Sequence, residues 1–192
     1  GHTKYTTPAS GLVELKEAIC GKLERENSLT YTASQIVVTC GAKQVIFDAI
    51  AALINPGDEA ILPAPFYVSY ADQVKLMGGV PVIVQTEPDD NFNLTVDQLK
   101  SALSPRSKLI IFNSPSNPTG ATYTAERWRE LAAVLADTSL YVITDEIYEK
   151  FIYDGEHHSI ATENETLFSR TLVVNGFSKA YAMTGFRIGY AC

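Results

Sequence analysis

Lys179 closes the tetrapeptide Gly176-Phe177-Ser178-Lys179, and Arg187 follows eight residues later within Thr184-Gly185-Phe186-Arg187-Ile188-Gly189. A lysine amine titrates near ~10.4, so at neutral pH it acts as a nucleophile or base only when desolvation or a nearby cation lowers that value. Arg187 is a cation that could supply part of that field. Asp145 ends the apolar run Leu140-Tyr141-Val142-Ile143-Thr144, where an unpaired carboxylate is costly to bury, so it calls for a protonated partner. Tyr148 follows at the spacing of one helical turn, which would place both on one face. Asn117, in Asn113-Ser114-Pro115-Ser116-Asn117-Pro118-Thr119-Gly120, adds an amide, and Ser178 adds a hydroxyl. Tyr67 offers an aromatic platform, with an ordinary core aromatic as the competing reading because Phe66, Tyr67 and Tyr70 share helix-face spacings. Gly41-Ala42-Lys43 stands at a candidate helix start, where backbone N–H groups attract an anion.

Those residues need elements to hold them. Seven short aliphatic or β-branched runs have strand length: Gln35 to Thr39, Glu59 to Leu62, Pro81 to Thr86, Lys108 to Phe112, Leu140 to Thr144, Thr171 to Asn175 and Arg187 to Ala191. Helical patterns lie between the first five. Val45, Ile46, Ala49, Ile50, Leu53 and Ile54 form one and stop at Pro56-Gly57-Asp58, and a second runs from Phe66 to Met77. Thr95-Val96-Asp97-Gln98 reads as a capping box, and Trp128, Leu131, Ala132 and Leu135 mark a fourth helix. An N-terminal helix has Leu12, Leu15, Ile19 and Leu23 on one face, with Ser10 as its candidate cap. The alternation predicts an α/β fold, a three-layer α/β/α arrangement around a mostly parallel seven-stranded sheet. Only Gly176 to Phe186 separates the last two strands, too little for a comfortable crossover, so the last strand is expected to be antiparallel.

In such sheets ligands bind beyond the carboxyl ends of the strands. The chemically distinctive residues all follow strands on that rim. No G-x-G-x-x-G, G-x-x-x-x-G-K or G-x-S-x-G motif is present, and no His and carboxylate set has metal-ligand spacing, with His157-His158 in a polar loop. No metal is therefore expected. A ligand combining a phosphate, a flat ring and an aldehyde would use every group on the rim, and pyridoxal 5'-phosphate is that ligand.

Composition narrows the partners. With 15 Lys+Arg against 22 Asp+Glu, the net charge is −7, which disfavours nucleic acid or an anionic membrane as the main partner. No run approaches the roughly 18 apolar residues of a membrane span, and the N-terminus lacks a signal-peptide layout. Cys20, Cys40 and Cys192 are an odd, widely spaced set, in keeping with a reducing, cytoplasmic setting.

Gly176-Phe177-Ser178-Lys179 followed by Thr184-Gly185-Phe186-Arg187-Ile188-Gly189 resembles the lysine-attachment signature of class I, fold-type-I pyridoxal-phosphate aminotransferases, closest to the large domain of bacterial-type aspartate aminotransferases. The spacings from Asn117-Pro118-Thr119-Gly120 to Asp145, and from Asp145 to Tyr148, are similar too, and the likeness runs from Tyr5 to Cys192. It implies that Lys179 forms the Schiff base and then moves the substrate's α-proton, and that Asp145 pairs with the ring nitrogen. Tyr148 and Asn117 would bond the ring's phenolic oxygen, and Tyr67 would stack on the ring. The phosphate would sit on Arg187, Ser178 and the backbone of Gly41, Ala42 and Lys43. Tyr5 would reach the phosphate of a neighbouring subunit, so a homodimer is expected.

The resemblance implies amino transfer between an L-amino acid, aspartate-like, and a 2-oxo acid. Relatives of this type usually carry Trp where this chain has Tyr67, and that Trp also touches the substrate's distal carboxylate. They also carry a C-terminal small domain whose arginine clamps the α-carboxylate, so residues 1–192 are read as the cofactor-binding large domain alone. The same residues would also permit a fold-type-I C–S lyase, and a non-catalytic cofactor-binding sensor is the alternative outside enzymes.

Overall fold

The computed structural model describes residues 9–192. Seven strands form one sheet: β1 (Val37–Thr39), β2 (Glu59–Ala64), β3 (Val80–Gln85), β4 (Ser107–Asn113), β5 (Tyr141–Asp145), β6 (Thr171–Gly176) and β7 (Gly189–Ala191). Their order is β1-β7-β6-β5-β4-β2-β3. β2, β3, β4, β5 and β6 pair in parallel, whereas β7 is antiparallel to both β6 and β1. The short connection before β7 thus reverses the chain, as its length demands.

Side-chain alternation along the strands builds two cores. Leu62, Leu109, Ile111, Ile143 and Val174 face α2 (Ala42–Leu53) and α3 (Ser69–Leu76), whose Val45, Ile46, Ile50, Tyr70 and Val74 cover them. Ile61, Ile110, Phe112 and Val142 face the other way, onto α4 (Val96–Ala102), α5 (Ala125–Ala136) and α6 (Glu165–Phe168). Ile19 and Leu23 of α1 (Val13–Asn27) extend that second layer over Val173 and Tyr190. Trp128 on α5 is fully buried, stacked on Tyr123 at 4.0 Å and edge-on to Phe112 at 5.0 Å.

Local signals succeed where they are self-contained. Thr95 caps α4 with a full box: its hydroxyl accepts from the Gln98 N–H and its N–H donates to Gln98 Oε1. Ser10 does not cap α1, which begins at Val13 with Leu12 in the cap position. Its hydroxyl accepts from Lys16 Nζ at 3.0 Å and its carbonyl from the Val38 N–H at 2.8 Å, so Ser10 ties the helix to β1 instead. Leu12 consequently lies off the buried face, 44% exposed. The segment predicted as helix from Phe66 is helical only from Ser69, because Phe66 and Tyr67 continue the turn that leaves β2.

Candidate active site

β7 alone opposes the other strands, so the carboxyl ends of β1, β2, β4, β5 and β6 share one rim. A cavity of about 220 Å³ opens there, and Ala42, Lys43, Tyr67, Asn117, Asp145, Tyr148, Ser178, Lys179 and Arg187 all line it. The predicted residues from Ala42 to Arg187 therefore meet in one place, and Gly41 lies outside the lining, beside Arg187. Tyr5 lies outside the described residues.

One end of the cavity suits an anion. Gly41 precedes α2 with φ 86°, and a Cβ there would stand 2.5 Å from Arg187 Nη2. A Cβ on Gly189 would stand 2.2 Å from the Ala42 nitrogen, so β7 can lie against the start of α2 only without a side chain. The N–H groups of Ala42 and Lys43 belong to the first helical turn, which has no intrahelical acceptor and carries the positive end of the helix dipole. Arg187 is anchored by donating from Nη1 to the Thr184 carbonyl at 2.9 Å. A guanidinium beside free amides is the donor set that a phosphate group takes bidentately.

Asp145 also lines the cavity. Its carboxyl is buried and pushed up to about 6 by that burial, against the lowering effect of two hydrogen bonds. Tyr70 donates its hydroxyl to Oδ2 at 2.7 Å, and the Ile147 N–H reaches Oδ1 at 3.2 Å. The predicted helical turn from Asp145 to Tyr148 is instead a tight turn, closed by Glu149 N–H to the Glu146 carbonyl and Phe151 N–H to the Tyr148 carbonyl. It still delivers both side chains to the cavity. Asn113 braces this corner, donating to the Asp145 carbonyl at 2.9 Å and accepting the Asn117 N–H at 2.7 Å. It thereby sets the loop that presents Asn117.

The amine of Lys179 belongs to the same cavity. Lys179 Nζ lies 5.5 Å from the centre of the Tyr148 ring, on an exposed stretch rather than in the desolvated setting that lysine chemistry asks for. Lys43 Nζ lies 5.3 Å from the centre of the Tyr67 ring, and that ammonium, with Ser69, holds the Tyr67 phenol below its ordinary range. Tyr67 is half-buried and edge-on to Tyr70, so it is a cavity wall that also packs.

The sequence around His157-His158 reads as a polar loop, but the structure buries most of the His157 side chain against Glu146. Glu146 also accepts from Thr144 Oγ1 and Ser159 Oγ, and neighbouring Glu149 is held by Lys22 and Asn27. Ligand atoms of Glu146, Glu149 and His157 thus come within 4.8 Å of one another, a cluster with no counterpart in local spacing. Its carboxylates are already satisfied by protein donors, which makes it a strut behind the Asp145 turn. Tyr70 and Asn113 were likewise missed as bonding partners of Asp145.

Among the described residues no helix is long and apolar enough to cross a membrane. The family model for class I and II aminotransferases matches residues 1–192. The chain is 47% identical over 192 residues to an aspartate aminotransferase of Bacillus sp. (strain YM-2), covering all of this chain and 49% of that protein. It is 49% identical over 193 residues to an aspartate/prephenate aminotransferase of Cereibacter sphaeroides, covering all of this chain and 48% of that one. The chain therefore spans about half the length of the curated relatives it matches. Among solved structures, an aspartate aminotransferase from Rhizobium meliloti superposes with a TM-score of 0.97 at 46% identity, over 100% of this chain and 48% of that one. One from Thermus thermophilus with maleate gives 0.94 at 44% identity, over 99% and 49%. With its whole described length matched in sequence and in backbone, this chain belongs to the class I and II aminotransferase family.

Proposed function

We propose that residues 1–192 are the cofactor-binding large domain of a pyridoxal-phosphate-dependent aminotransferase that moves an amino group between an aspartate-like L-amino acid and a 2-oxo acid. One observation carries the reading: a single cavity joins an anion cradle at Arg187 and α2, a buried carboxyl at Asp145 and an amine at Lys179.

Pyridoxal phosphate, when bound, supplies an aldehyde that links to amines and a ring that accepts the electron pair left by a departing α-proton. The chain's own groups do the rest. Arg187, Ser178 and the N–H groups of Ala42 and Lys43 would hold the phosphate, whereas the Gly41 N–H, also expected there, is given to the Thr39 carbonyl at 2.9 Å. Asp145 would offer its carboxylate to the ring nitrogen and keep a proton there, a pairing that would offset the burial opposing its ionisation. Tyr148 and Asn117 would donate to the ring's phenolic oxygen, and Tyr67 would stack on its face. Lys179 Nζ would be the amine that holds the aldehyde and the base that moves a proton at the substrate's Cα.

The dicarboxylate preference rests on the relatives' names and on maleate, a four-carbon dicarboxylate, in the Thermus structure. A homodimer fits the exposed rings of Tyr181 and Phe186 near the rim, 52% and 69% exposed. Three free thiols suit the cytoplasm. The test is a single-turnover reaction of cofactor-loaded protein with L-aspartate. Release of the matching 2-oxo acid, with the amino group retained on the cofactor, supports the proposal. Ammonia release instead assigns an elimination.

A further inference from the structure

Tyr70 is 1% exposed, in the first turn of α3, and its hydroxyl points across the sheet's edge to Asp145. Its ring meets Tyr67 edge-on, with centroids 5.7 Å apart at 78°, and lies over Phe66 at 6.4 Å. One buried side chain therefore touches both the acid at the cavity's floor and the aromatic on its wall. We infer that Tyr70 is a positioning residue for the cofactor ring: its hydroxyl fixes Asp145 as an acceptor aimed at the ring nitrogen while its ring sets the angle of Tyr67. This inference rests on the proposed function.

The physical case is one of direction. A phenol is a far weaker acid than a carboxyl, so in this bond Tyr70 donates and Asp145 accepts. With the Ile147 N–H on Oδ1 and Tyr70 on Oδ2, both oxygens are tied, and the carboxyl plane cannot rotate away from the cavity. Burial and the neighbouring Glu146 charge favour the protonated acid, and the Tyr70 bond opposes them. Around the phenol itself, burial and Asp145 raise its titration well above the ordinary value, with Tyr148 and Tyr67 as the other titratable neighbours. Tyr70 is consequently the donor of this bond at neutral pH.

The experiment compares wild type, Tyr70→Phe, Asp145→Asn and the double variant. Two readouts are taken: the Asp145 carboxyl titration by carbon-13 NMR without cofactor, and the affinity for pyridoxal phosphate and its 1-deaza analogue, which lacks the ring nitrogen. Phe keeps the ring and its packing. The inference expects the Asp145 midpoint to rise in Tyr70→Phe. Pyridoxal phosphate should bind on the order of 10- to 100-fold more weakly, the scale of one hydrogen bond to a charged acceptor, while the deaza analogue is little affected. In the Asp145→Asn background the Tyr70→Phe effect should vanish. An unmoved midpoint, or equal losses for both ligands, would overturn the role. If wild type bound no pyridoxal phosphate while the midpoint still rose, the cofactor reading would fail and the Tyr70 hold on Asp145 would stand. Should Tyr70→Phe not fold, Asp145→Asn alone decides: the Tyr70 phenol must then titrate lower than in wild type, and no change overturns the coupling.

Discussion

His157 Nε2 lies 2.9 Å from Oε2 of Glu146, directly behind the turn that carries Asp145 and Tyr148. Burial alone would lower the imidazole's titration, but the hydrogen bond and charge of Glu146 outweigh it and hold it above the usual 6.5. A raised folded-state value means stability that is fully present below pH 6.5 and is lost as the pH rises through the folded value.

His157→Gln should therefore destabilise the chain by about 1.5–3 kcal/mol below pH 6.5, the worth of a charge-assisted hydrogen bond, and by progressively less at higher pH. Melting temperatures of both proteins between pH 5 and 9 check this. A constant difference across the range would mean that the ring merely fills space.

Asp145 obeys the same rule with a different consequence. Its carboxyl is shifted from 3.8 up to about 6, so its contribution to stability is present below 3.8 and lost as pH rises through 6. At pH 7 the cofactor-free protein thus carries a strained buried charge. Asp145→Asn should leave its stability unchanged or raise it by about 1–3 kcal/mol, while pyridoxal phosphate binds far more weakly. Urea unfolding without cofactor, set beside a binding titration, separates the two effects.

The contact of β7 with α2 makes Gly189 a sensitive position. Gly189→Ala should cost about 1–3 kcal/mol or more through overpacking and should also weaken inorganic phosphate binding, because the start of α2 must move. Gly185, where a Cβ would meet nothing within 4 Å, is the control. Gly185→Ala is expected to stay within about 0.5 kcal/mol of wild type.

Lys43 places an ammonium beside Tyr67 on the wall of the cavity, where it could meet a substrate's second carboxylate. Lys43→Ala should raise KM for aspartate on the order of 10-fold while leaving KM for an aromatic amino acid nearly unchanged. Paired kinetics on the two substrates give the answer, and a uniform loss would assign Lys43 to the cofactor instead.

Much of this was legible in the residues. The strands announced themselves because β-branched runs such as Leu109 to Phe112 have no other stable use, and the rim residues followed from strand ends. Thr95 and Gln98 lie three residues apart, so their box could be read locally. Ser10 misled because a hydroxyl near a helix start has more than one available donor, and Lys16 took it. Tyr70 and Asp145 are 75 residues apart, and Lys22 and Glu149 are 127 apart. Such pairs leave no period in the chain and exist only once the sheet has brought its edges together.

Lys179 lines the cavity beside Tyr148, and the proposed function makes it the lysine that joins the aldehyde. The measurement is to add pyridoxal phosphate, reduce with borohydride and locate the adduct by peptide mass spectrometry, with Lys179→Ala alongside. An adduct on Lys179 that vanishes in the variant is the predicted result. Labelling spread over surface lysines, unchanged by the substitution, would contradict it.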